Sequence, residues 1–222
     1  MTRRTLPSES GATASMDLTK ILLLYASGVG VDTSRVLQSA GLASSALEDA
    51  EARVSLGTFD AIWEAVGQQS GDANFGLRFG ESFPAFAAGH ILFTVMMNCE
   101  TVGKALETFF RYHDLMADFV SAEMIAHDVY VKVRLRSVVD GLPLQRHHSE
   151  GIFGIICSLL RLLTGGAGTP IEVRFTHRRP EDVSEHHRVL GSVPRFGQTQ
   201  NELMIRREHL DAPVLLLSLI HI

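Results

Sequence analysis

The sequence predicts an α+β fold, with helices packed on one face of a mainly antiparallel sheet and a helical N-terminal part. Apolar residues at 59, 62, 63 and 66 follow the i, i+3, i+4, i+7 spacing of an amphipathic helix. The stretch 129–136 alternates apolar and polar residues, as a half-buried strand does. Both patterns recur after residue 100 without a regular βα repeat, which favours α+β over a parallel α/β sheet.

The N-terminal half reads as a series of helices. The expected helical segments are 18–27, 32–39, 55–70, 74–79, 89–98 and 101–116. Most begin after a Ser, Thr or Asp that can cap a helix, and several stop at a glycine. The segment 89–98 is apolar almost all round, so we expect a buried helix there.

Strands enter in the second half of the chain. The expected strands are 118–125, 128–136, 171–176, 193–196 and 202–205, and the expected helices are 144–164 and 180–190. In the second strand Val129, Val131, Val133 and Leu135 share the face that should lie on the helices. The helix 144–164 is the longest helical run and carries a wide apolar stripe.

Composition limits the classes of function. The 222 residues are 45% apolar and 20% charged, with a net charge of -5, which disfavours a chain built to coat nucleic acid or anionic membrane. The first two helices resemble a helix-turn-helix only in outline, since Arg35 and Gln38 alone could reach bases. Cys99 and Cys157 read as free, buried thiols in a reducing compartment. Without a signal peptide or an apolar span, the chain is predicted to be cytoplasmic.

Catalytic and metal motifs are not found in the sequence. His147 and His148 are adjacent and would point about 100° apart on a helix, so they cannot chelate one ion as an i, i+4 pair can, and Glu150 adds no HExxH pattern. His186 and His187 read as solvated residues. The glycine-rich 165–168 runs from helix to strand, unlike a phosphate loop. We predict no enzyme activity, no catalytic residues, no metal and no cofactor.

Four polar side chains adjoin apolar stripes and are the candidate ligand contacts. His113 continues the stripe of the helix 101–116, and His148 extends that of 144–164. Tyr112 and Arg134 could share a pocket with them, because a guanidinium binds carboxylate or phosphate in a bidentate manner. The alternative for each histidine is a core-edge ring bonded to a backbone carbonyl.

A run of motifs from 173 to 214 resembles a known family. The sequence VRFTHRRPEDVSEHHRVLGSVPRFGQTQNELMIRREHLDAPV contains His-x-x-Pro, Leu-Gly, Val-Pro-Arg-Phe-Gly, Asn-x-Leu and Leu-Asp-x-Pro in order. It is similar to the N-terminal, arabinose-binding-domain-like effector domain of AraC/XylS-type transcription regulators. The earlier segments GVDTSRVLQSAGL, VSLGTFDAIWEAVGQQSGDANFGLRFGE and GHILFTVMMNCETVGKALETFFRYHDLM are similar too. The resemblance covers roughly Leu18 to Pro213.

The sequence and the resemblance together predict a domain organisation. Residues 1–15 are small and polar without a period and are expected to be a disordered lead, and 16–52 is a candidate helical subdomain. The resemblance makes 16–213 an effector-binding and dimerisation domain. In this family a C-terminal domain with two helix-turn-helix units follows. The chain stops soon after Pro213, so we expect that domain to be missing and 214–222 to be a tail that could be non-native. No individual ligand contact is supplied by a matching motif.

The implied function is effector sensing for a transcription regulator. A small metabolite would bind and control DNA binding through the missing domain, in a homodimer without membrane contact. Three alternatives remain: a haem or gas sensor with a histidine ligand, an esterase-like or isomerase enzyme, and a dimerisation module that binds no ligand.

Overall fold

The computed structural model describes residues 11–215, which form two compact units. The first unit contains residues 11–73 together with His113–Ser121 and Arg136–Leu144. The second contains Asn74–Tyr112, Ala122–Leu135 and residues 145–215. The residues 1–10 of the predicted lead and 216–222 of the predicted tail lie outside the described residues. No helix between residues 11 and 215 has the length and hydropathy needed to cross a bilayer.

The first unit is built from three helices and a small antiparallel sheet. Its elements are β1 (Thr13–Ser15), α1 (Met16–Gly28), α2 (Thr33–Ser39), β2 (Arg53–Ser55) and α3 (Leu56–Ser70). Strand β1 pairs with β2, so the prediction of a disordered lead is wrong for these three residues. The unit also extends beyond the predicted subdomain 16–52, because α3 packs on α1 and α2.

The helix ends of the first unit follow from their capping residues. The Asp32 and Ser55 side chains accept hydrogen bonds from the first turns of α2 and α3, as predicted. Helix α1 is capped by Ser15, and Asp17 lies in its first turn. Gly71 ends α3 with φ of 64°, a left-handed conformation that favours glycine.

The second unit holds the larger sheet and most of the helices. Its elements are α4 (Phe75–Phe86), α5 (Ile91–Met97), α6 (Val102–Tyr112), β3 (Val120–Ala126), β4 (Tyr130–Ser137), α7 (Arg146–Leu163), β5 (Pro170–Arg174), α8 (Ser184–Leu190), β6 (Asn201–Arg206) and α9 (Arg207–Asp211), although β3 and β4 each run past its boundary. The strand order is β3-β4-β6-β5, and β6 is antiparallel to both β4 and β5. The predicted α+β class is confirmed.

Helices α4 and α7 pack with their backbones in close approach. A Cβ on Gly80 would lie 2.9 Å from the Cα of Gly154, and one on Gly76 would lie 2.8 Å from the carbonyl oxygen of His147. Helix α4 is therefore a full packing partner, longer than the turn or two predicted for 74–79. Small residues are needed at these crossing points because any side chain would hold the two backbones apart.

Several local predictions are wrong. Helix α5 is two-sided rather than buried all round, since Ile91 is 69% exposed while Met96 is buried. Val129 lies before β4 and is exposed, although the rest of its predicted face is buried. The segment 193–196 makes only one isolated bridge and is not a strand. Helix α8 begins at Ser184, later than predicted.

Candidate functional site

A cleft opens in the second unit between the start of α6, the β3–β4 hairpin and α9, and we call it the α6–α9 cleft. Its volume is about 250 Å³, enough for a small metabolite. The lining residues are Thr101, Gly103, Lys104, Glu107, Met124, Ala126, Val131, Arg207, Leu210 and Asp211. Val131 and Leu210 are buried and form an apolar floor.

Helix α9 forms one wall of the cleft because hydrogen bonds hold it on both sides. The Val102 N–H donates to the Ala212 carbonyl at 3.0 Å, and the Val214 N–H donates to the Glu100 carbonyl at 3.3 Å. On the opposite side the Arg207 guanidinium donates to the His127 carbonyl at 2.7 Å, in the β3–β4 turn. The short helix thus bridges α6 and the hairpin.

Positively and negatively charged side chains surround this apolar floor. Lys104 and Glu107 form an ion pair of 2.8 Å on α6, and both side chains are largely exposed. Arg207 begins α9 and Asp211 ends it. Exposed pairs of this kind contribute little to stability, so Lys104 and Glu107 can exchange partners at small cost. Chemically, the cleft can bind a small molecule that has apolar and charged parts.

Arg134, a predicted ligand contact, is bound within the sheet. Its Nε and Nη2 donate to Glu202 Oε1 at 3.0 and 2.8 Å, from β4 to β6. Lys132 and Arg174 also approach the same carboxylate, at 3.4 and 3.5 Å. Burial raises the pKa of Glu202, but the Arg134 hydrogen bond and the Lys132 charge outweigh it and hold the pKa below its ordinary value.

Tyr112 and His113 lie at the end of α6 and beyond it. Tyr112 ends the helix with an exposed side chain, whereas His113 belongs to the first compact unit. The Nε2 of His113 lies 2.7 Å from the Val120 carbonyl oxygen and 3.2 Å from Asp114 Oδ1. This is the core-edge arrangement that the sequence left as the alternative for His113. None of the four predicted contacts lines the α6–α9 cleft.

His148 is buried in the first turns of α7. Burial lowers its pKa well below the ordinary value, and the adjacent His147, whose ring lies 4.3 Å away, lowers the pKa further. The folded protein therefore keeps this imidazole neutral where an unfolded chain would bind a proton.

We expect His148 to make the protein less stable in mild acid. Because its folded pKa lies below the unfolded value of about 6.5, unfolding takes up a proton below that pH, and stability falls as pH falls. The slope is at most about 1.4 kcal/mol per pH unit for this one group. His148→Gln should flatten the fall in the free energy of unfolding below pH 6.5, measured by urea denaturation. The matched control is His187→Gln, at an exposed position of α8; an equal flattening there would contradict the assignment.

A buried polar cluster joins α7 to α8, and sequence reasoning missed it. Glu150 is 1% exposed, and its Oε1 accepts from His186 Nε2 at 2.6 Å and from Arg146 Nε at 2.8 Å. His177 Nε2 lies 3.3 Å from the same oxygen. The reading of His186 as solvated is wrong, because its side chain is fully buried.

Aromatic rings enclose this Glu150 cluster. The His186 ring lies 5.3 Å from Phe196 and 6.2 Å from Phe175, both nearly edge-on. The His177 ring lies 4.8 Å from Phe175 and 5.4 Å from Phe196, and burial lowers the pKa of His177 below the ordinary value. Because the Arg146 guanidinium already occupies the Glu150 carboxylate, the cluster is suited to holding elements together rather than to binding a cation.

The cluster accounts for part of the run of motifs that carried the resemblance. The His-x-x-Pro motif supplies His177, and the helix after it supplies His186. The one available signal was the co-occurrence of these histidines with a glutamate on the apolar helix 144–164.

The fold is similar to that of a solved protein structure. The chain matches part of the structure described as "Crystal structure of transcriptional regulator CdpR from Pseudomonas aeruginosa", with a TM-score of 0.56 and 14% identity. The match covers 82% of this chain and 56% of that one, so the chain spans little more than half the length of this structure. At this identity the likeness shows the fold alone.

The amino-acid sequence, compared with known protein families, shows the family of the chain. Residues 30–214 match the family described as the arabinose-binding domain of AraC transcription regulator, N-terminal. The chain belongs to this family, which confirms the predicted resemblance. No curated protein matches the sequence. The family is one of transcription regulator domains and is not an enzyme class.

Proposed function

We propose that the chain is the effector-sensing part of an AraC-type transcription regulator. The observation that carries this proposal is the family match over residues 30–214, which takes in every element from α2 to α9. A small metabolite would bind to it and shift the balance between two arrangements of a homodimer in the cytoplasm. DNA binding would belong to a C-terminal helix-turn-helix domain outside this chain.

The α6–α9 cleft is the place we favour for the effector. Its volume and its buried apolar floor suit a small ligand, and side chains of both charges are available around it. Of the residues predicted from sequence, Arg134 is already bonded to Glu202 and His113 to a backbone carbonyl. Tyr112 and His148 remain predicted contacts for a ligand elsewhere.

A thermal-shift screen of the purified 222-residue chain tests the proposal. The panel contains L-arabinose, the sugar in the family's description, with other sugars, amino acids, carboxylic acids and amines. A specific effector at about 100 times its Kd should add about 2.7 kcal/mol of stability and raise the melting temperature.

The competing outcome is a dimerisation module that binds no ligand. In that case no compound raises the melting temperature, while the melting temperature rises with protein concentration as expected for a dimer. That pair of results would overturn the sensing function.

A further inference from the structure

We infer that the α6–α9 cleft binds a small zwitterion with an apolar side chain, of amino-acid size. The inference rests on the proposed sensing function and assigns it a site and a ligand class. It begins from the charges around the cleft, which are balanced: Lys104 and Arg207 are cations, and Glu107 and Asp211 are anions.

A balanced set of charges selects against ligands of one sign. A simple carboxylate would satisfy the cations but lie close to Glu107 and Asp211, and a simple amine would meet the opposite problem. A molecule with one carboxylate and one ammonium group can pair with both sets at once. The exposed Lys104–Glu107 pair can open to accept it, because each partner is more than two-fifths exposed.

The apolar floor adds a requirement for an apolar group. Val131 comes from β4 and Leu210 from α9, and both are buried, while Met124 from β3 lies beside them. An aliphatic group placed on these side chains would bury apolar surface. The volume of about 250 Å³ lies below the usual range for drug-sized ligands, which restricts the occupant to a small metabolite.

The test uses L-leucine with two analogues that each lack one charge. Isoamylamine keeps the ammonium and the aliphatic group, and 4-methylpentanoate keeps the carboxylate and the aliphatic group. Calorimetric titration of the 222-residue chain should show L-leucine binding at least about tenfold more tightly than either analogue, the loss that follows from one charge-assisted hydrogen bond.

Variants locate the site. Lys104→Ala and Asp211→Ala should each weaken L-leucine binding about tenfold, and Ala126→Trp should abolish it by filling the cleft. The matched controls are Arg111→Ala on α6 and Glu208→Ala on α9, which carry the same charges outside the lining and should bind as the wild type does. Circular dichroism checks that each variant is folded.

Results that contradict the ligand class or this site can be told apart from results that contradict the sensing function. Equal affinity for L-leucine and one analogue, or no binding of any of the three, overturns the ligand class. Another compound that raises the melting temperature equally in the wild type and in all three cleft variants preserves sensing and overturns this site.

Discussion

Gly80→Ala is expected to destabilise the protein by about 3 kcal/mol, the upper end of the usual range for overpacking. The added Cβ would overlap the carbonyl oxygen of Gly151 and lie 2.9 Å from the backbone nitrogen of Ile155. Both contacts are with backbone, which cannot rotate away as a side chain can. Alanine gains about 1 kcal/mol over glycine in helix propensity, so the steric cost exceeds the propensity gain.

Gly67→Ala is the matched control for this prediction. Gly67 lies within α3, and a Cβ there would meet no atom within 4 Å apart from its chain neighbours and its own helix backbone. The same substitution should therefore stabilise the protein by about 0.5–1 kcal/mol. Urea denaturation followed by circular dichroism gives both values. If Gly80→Ala is as stable as the wild type, the close approach of α4 and α7 is wrong.

Glu150→Ala is expected to cost about 3–5 kcal/mol, the range for breaking a buried charged pair. The variant leaves the His186 Nε2 buried without its acceptor and removes the carboxylate that balances Arg146. Glu150→Gln should lose less, since its amide oxygen can still accept one of these hydrogen bonds.

The control for Glu150 is a carboxylate that also binds arginine but is partly exposed. Glu81 accepts from Arg188 at 2.8 and 2.7 Å, from α4 to α8, and Glu81→Ala should cost at most about 1 kcal/mol. The measurement is the free energy of unfolding in urea. A Glu150→Ala value no larger than that of Glu81→Ala would contradict a stabilising role for the cluster.

The sequence predicted correctly those elements whose caps, apolar patterns and terminating residues all lie within one short segment. The helix from Leu56 to Ser70 was correct because its cap, its stripe and its terminal glycine are all within the segment. The buried face of β4 was correct from Val131 onward because strand alternation has a period of two. The family resemblance came from motifs that retain their order along the chain.

The errors arise where distant segments decide the outcome. The composition of α5 could not indicate which side of the helix would remain exposed to solvent. Strand β1 has three residues, too few for a pattern, and it depends on its pairing with β2. Glu150 and His186 are 36 positions apart, and the lining of the α6–α9 cleft comes from three separated stretches, so no local spacing predicts either.

The single carboxylate of Glu202 also has a consequence for strand alignment. Three cations from two neighbouring strands converge on it, and they do so only when Arg134 and Arg174 lie opposite residue 202. A slip of one residue would turn these side chains to the other face of the sheet and leave like charges without their counter-ion. The cluster therefore penalises misaligned pairings during folding and selects the native alignment of β4, β6 and β5.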